Sequence, residues 1–126
     1  MKTKFLMTSS ALFFGIIGIL LSFLPNEIAE YLSVEPTIIT ILFLQILGAL
    51  YLGFGILNWT AKGTLIGGIY NRPIALGNLM HFVVGAITLV KVISNIQTHT
   101  EIIIFLTVFY AIFALLFIYV LKTNPT

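Results

Sequence analysis

The chain contains no cysteine, which excludes disulfides, thiolate metal sites and dithiol redox chemistry on either side of a membrane. Charge is nearly as scarce, at 8% of residues against roughly 25% in an average soluble domain. Six basic and four acidic residues are scattered over 126 positions, with no basic cluster of the kind that binds nucleic acid. No acid lies inside a long apolar stretch, so a proton-coupled exporter built on a buried carboxylate is not expected. His81 and His99 are the two histidines. With four carboxylates they are too few for a buried di-metal centre. A haem clamped between helices would need two histidines facing each other, and His99 falls in a loop. Ser9, Ser10 and Ser22 share their stretch with neither a histidine nor an acid, so a serine nucleophile would have no base. The balance is against an enzyme, and no metal or cofactor is expected.

What the chain does have is apolar length. Its hydrophobic fraction is 60% and its mean hydropathy +1.14. Four runs carry no charge at all: 5–26, 36–61, 73–90 and 102–121, of 22, 26, 18 and 20 residues. A helix rises ~1.5 Å per residue, so a hydrocarbon layer of about 30 Å takes roughly 20 residues. Backbone polar groups in lipid must be satisfied within the protein, and unbroken apolar runs lack the alternation of a barrel strand. The expected fold is all-α: an integral membrane four-helix antiparallel bundle forming a single domain, with spans at about 5–24, 37–59, 73–94 and 101–121. The basic start ahead of the first run resembles a secretory signal peptide. That run exceeds the ~7 to 15 residues of a signal core, and no small-x-small cleavage site precedes Pro25, so a retained span is expected.

The charges sort by side. Lys2, Lys4, Lys62, Arg72 and Lys122 fall with the N-terminus, whereas Glu27, Glu30, Glu35, Glu101 and Lys91 fall opposite. Basic residues are retained in the cytoplasm during insertion, so both termini and the middle loop should be cytoplasmic. Trp59, Tyr70 and Tyr119 then mark the inner interface and Tyr31 the outer one. Pro25-Asn26 should end the first span, Glu35-Pro36 should open the second, and Pro73 suits the first turn of the third. Between the first two spans, Ile28, Ala29, Leu32 and Val34 are placed to form a short helix lying on the surface. The glycine-rich segment 60–72 is expected to hug the interface.

Lipid tails are as apolar as leucine, so helices associate in a membrane through close approach at small residues and through interhelical hydrogen bonds. Each span carries such a stripe. The first has Thr8, Ala11, Gly15, Gly18 and Ser22, and the second Gln45, Gly48, Leu52, Gly55 and Trp59. In the third, Gly77, His81, Gly85 and Thr88 share a face with Asn78 beside them; the fourth offers Thr107, Tyr110, Ala111 and Ala114.

Four residues stand out as candidate ligand contacts: Gln45, Tyr51, Asn78 and His81. His81 is ionisable inside a span, which is costly and therefore a functional hypothesis. Tyr51 lies at a comparable depth on the second span and Asn78 one turn from His81, so the three are expected to form a polar cluster. Its plainer role is interhelical hydrogen bonding that fixes packing. Gln45 sits nearer the outer leaflet, where packing again competes with binding. Lys62 and Arg72 are expected to meet lipid headgroups, and Lys91 to snorkel toward them.

The order of Phe14-Gly15-Ile16-Ile17-Gly18 before Leu24-Pro25, then Gln45-Ile-Leu-Gly-Ala-Leu-Tyr51, Gly53-Phe-Gly-Ile-Leu-Asn-Trp59, and Arg72-Pro73 opening the span with His81 resembles the DoxX-like group of small four-span bacterial membrane proteins. The likeness covers the first three spans. It implies a four-helix bundle in the bacterial inner membrane and, for some members, an accessory link to quinone or redox systems. The residues themselves point to non-enzymatic association with a second copy, a partner subunit or lipid. The alternative is an intramembrane binding module for a quinone-like or sterol-like lipid between the second and third spans. A small transporter would need a polar path through both leaflets, to which the fourth span contributes almost nothing.

Overall fold

The computed structural model describes residues 3–123. Among them are five α-helices: α1 (Thr3–Phe23), α2 (Pro25–Tyr31), α3 (Ile38–Ala61), α4 (Arg72–Ile93) and α5 (Thr100–Thr123), with a single 3-10 turn at Ile69–Asn71 before α4. No strand occurs among the described residues. The fold is all-α, and α1, α3, α4 (taken with its leading turn) and α5 are long and apolar enough to cross a membrane. Their ends lie within two residues of the bounds expected from the charge-free runs.

The punctuation acts as its chemistry requires. Leu24, at φ −127° and ψ 46°, leaves helical geometry, and Pro25 opens α2, where its missing N–H breaks no ladder. A short helix does form between the first two spans, α2, but it ends at Tyr31, before Leu32 and Val34; its Pro25 and Ala29 are buried. Ser33 turns the chain with a left-handed backbone, φ 60°. Thr37 then caps α3 by accepting a hydrogen bond from the Thr40 amide at 3.1 Å, satisfying one donor that the first helical turn leaves unpaired. Pro73 lies in the first turn of α4. Lys91 in the last turn of α4, and Glu101 and Lys122 in the first and last turns of α5, each face the helix end whose partial charge they oppose.

The helices gather into two compact units, one of residues 4–63 and one of residues 64–123 together with Thr3. In the first, α1 and α3 run antiparallel. Ser22 lies against Gly48, Gly18 against Leu52, and Gly15 and Ala11 against Gly55. Ala11, Gly15, Gly18 and Ser22 of the first stripe and Gly48, Leu52 and Gly55 of the second are therefore in contact, whereas Gln45 and Trp59, read as part of the second stripe, are exposed. A Cβ built on Gly48 would fall 2.9 Å from the Ser22 backbone nitrogen, and one on Gly18 2.9 Å from that of Leu52. Only hydrogen fits at those positions. Phe14, fully buried, places its ring 5.5 Å from that of Tyr51 and 5.4 Å from that of Phe54.

The second unit is the hairpin of α4 and α5, joined by a short connection. Its centre is Phe82, with no exposed surface, stacked on Phe113 at 4.9 Å and on Phe117 at 5.8 Å between centroids. Gly85 admits the Tyr110 ring against α4; any Cβ there would collide with it. Ahead of α4, the Asn71 side chain donates to the Leu65 carbonyl at 3.1 Å and closes the loop over buried Ile66. The outward faces of the four long helices carry large apolar side chains, among them Phe5, Ile16, Phe43, Met80 and Leu115. Such a distribution suits lipid rather than water as solvent.

Candidate functional site

Polar side chains within the long helices fall into two kinds. Serine and threonine hydroxyls mostly return to their own helix: Thr8 donates to the Lys4 carbonyl, Thr88 to that of Val84 and Thr107 to that of Ile103, at 2.7–2.9 Å. Such bonds cost no partner helix and carry no tertiary information. Asn58 and His81 reach further, each to a second helix.

In the first unit, the Asn58 amide donates to the Ser10 hydroxyl at 2.9 Å, and Ser10 in turn donates to the Met7 carbonyl at 3.1 Å. Both residues are fully buried. This bond ties the C-terminal half of α3 to the N-terminal half of α1. Sequence reasoning missed it, because serine is unremarkable in a span and Asn58 lies next to Trp59. Helical spacing was the available signal, since Asn58 falls three residues after Gly55 on the face that meets α1.

In the second unit, His81 Nε2 and the Tyr110 hydroxyl share a hydrogen bond of 2.8 Å, its direction set by which ring nitrogen carries the proton. Their rings lie 5.2 Å apart, and both sit near Phe82, at 5.2 Å from His81 and 5.2 Å from Tyr110. Tyr110 and Phe82 are buried and His81 is half-buried. The pair is thus a polar contact set in an aromatic wall, joining α4 to α5 near the middle of both. It can fix the register of the hairpin, and a hydroxyl and an imidazole in contact can also pass one proton between them. Among the described residues, no group of three or more histidine, aspartate or glutamate side chains comes together to hold a metal ion.

The four candidate ligand contacts are distributed as follows. Tyr51 is buried in the first unit, against Phe14. Gln45 is on the same helix but exposed. Six residues of α-helix separate the two by about 120° around the axis, so they do not share a face. Asn78 and His81 are neighbours on α4. Asn78 is fully buried and donates to the Ile74 carbonyl at 3.0 Å, so part of its amide is turned back on its own helix. An open depression of about 320 Å³ lies at the N-terminal end of α3, lined by Pro36, Ile38, Ile41, Leu42 and Gln45. Lys62, at the end of α3, holds its ammonium 3.2 Å from the centre of the Trp59 ring, a cation over the negative face of an indole. Arg72 is exposed in the first turn of α4, beside Ile69 and Tyr70, which are 82% and 96% exposed. Compared with models of protein families, with curated proteins and with solved structures, the chain matches none.

Proposed function

We propose that this chain is a small multi-pass protein of the bacterial inner membrane, of the DoxX-like kind, that acts without catalysis by associating with a second copy, a partner subunit or lipid. What carries the reading is the use made of its polar side chains. Asn58 is bound to Ser10, and His81 to Tyr110, each across a helix pair. These two pairs hold helices together, which leaves the outward faces as the surface that meets other molecules. Both termini are cytoplasmic in this reading, on the strength of the five basic residues that fall on their side. Lys62, Trp59, Tyr70 and Arg72 then sit at the inner headgroup level, where aromatic rings and basic side chains are favoured. Extraction in a lipid-retaining polymer followed by native mass spectrometry tests this. A second chain, a partner or a retained lipid is the expected finding, and bare monomer throughout would refute the association.

A second reading, a binding module for a quinone-like or sterol-like lipid, is favoured by one observation. The depression at the N-terminal end of α3 is apolar apart from Gln45, as a site for a hydrophobic molecule with one polar group would be. Loss of a retained lipid on Gln45→Leu, with the helical fold unchanged, would support it.

A further inference from the structure

We infer that α3 is the interface through which the protein pairs with a second copy of itself, centred on Gln45. The inference rests on the association proposed above and names the partner. Gln45 lies seven residues into α3, about 10 Å along its axis by helical rise, within a stretch free of charge from 36 to 61. Its side chain is exposed and has no hydrogen-bond partner among the described residues. In water such an amide would be solvated. In hydrocarbon its two donors and its acceptor would be unpaired, which membrane-spanning segments avoid. The amide therefore calls for a partner that its own unit does not supply.

The chemistry of that partner follows from the group itself. A carboxamide is self-complementary, carrying donors and an acceptor on one planar group. In a two-fold pair each residue meets its own counterpart, and copies inserted in the same orientation bring both Gln45 side chains to one depth. The surface beside it permits the approach. Ala49 and Gly53 follow at intervals of four residues, so they continue the same face, and both are exposed. A Cβ on Gly53 would meet nothing within 4 Å, whereas Gly48 and Gly55 of the same helix are closed off by α1. These small residues do not carry the inference, but they remove the obstacle to it. The apolar depression above Gln45 offers room for a side chain of the second copy.

The absence of native cysteine makes the test clean. Ala49→Cys in the full chain, oxidised mildly in native membranes, should give a disulfide-linked dimer, whereas Val84→Cys, on an exposed position of α4, should not. Adding Gln45→Leu to Ala49→Cys should lower the dimer yield by roughly three- to tenfold, the range that membrane hydrogen bonds of this kind imply. Thermal stability of Gln45→Leu should be unchanged, because no intramolecular bond is lost. A cross-linked dimer insensitive to Gln45→Leu, or no dimer at all from Ala49→Cys, overturns the inference. If the dimer is absent but another protein or a lipid is retained, association survives and the second copy is wrong. If nothing is retained, both fall.

Discussion

Asn58 and Ser10 form a buried polar pair between α1 and α3, and the loss of either partner should be felt. Asn58→Ala leaves a buried hydroxyl with its own carbonyl partner, Met7, still in place. The loss should therefore be that of one interhelical bond plus a small cavity, about 1–3 kcal/mol. Ser10→Ala removes the acceptor of the same bond and should cost a similar amount. A double-mutant cycle on detergent-solubilised protein should return a coupling energy of about 0.6–2 kcal/mol. His81 and Tyr110 invite the same treatment. Tyr110→Phe keeps the ring that Gly85 accommodates and removes only the hydroxyl, so it should destabilise by about 0.5–2 kcal/mol and leave the fold intact. Thermal unfolding followed by circular dichroism reads both. A large loss from Tyr110→Phe, above ~3 kcal/mol, would mean that the hydroxyl has a role beyond this one bond.

At the scale of elements, the α1–α3 contact is set by backbone proximity. A methyl group at Gly48 or Gly18 would fall 2.9 Å from a backbone nitrogen of the opposite helix, and backbone cannot rotate away as a side chain can. Gly48→Ala and Gly18→Ala should each separate the pair and cost about 1–3 kcal/mol. Gly63→Ala, with nothing within 4 Å of its added carbon, should change stability by less than about 1 kcal/mol. Equal effects at Gly48 and Gly63 would contradict the contact described. This contact was legible in the sequence, because Ala11, Gly15, Gly18 and Ser22 repeat at the helical interval and Gly48, Leu52 and Gly55 answer them. The spans were legible for a still simpler reason: charge cannot sit in a hydrocarbon layer, so its absence outlines each helix. The candidate site was less so. The periodicity of a single helix says which residues share a face, and so associates Asn78 with His81, but it does not say which neighbouring helix that face meets. Depth alone pointed to Tyr51 as a partner for His81 and left Tyr110, to which His81 is bonded, unweighed. The choice of Tyr110 depends on Gly85, one turn along, letting that ring approach α4, a contact between helices that no single span encodes. Gln45 was read as one of an inward stripe with Gly48, yet it is exposed, because three residues of helix carry it about 60° away from the face that Gly48 buries.

At the scale of the whole molecule, the proposed topology assigns each loop to a side of the membrane. The acidic α2 region and the segment ahead of α4, with Tyr70 almost fully exposed, should lie on opposite sides of the membrane if five basic residues mark the cytoplasm. A membrane-impermeant thiol reagent applied to intact cells should label Glu30→Cys and spare Tyr70→Cys until the membrane is breached. The reverse pattern would invert the topology. The proposal that the chain works by what its outward faces meet rests on Asn58–Ser10 and His81–Tyr110, each bound across a helix pair. Counting fluorophore bleaching steps from single labelled chains, captured in native-membrane nanodiscs at low expression, tests that claim most directly. A majority of two-step traces, reduced by Gln45→Leu, is expected; one-step traces throughout, from particles that carry no other protein or bound lipid, would refute association.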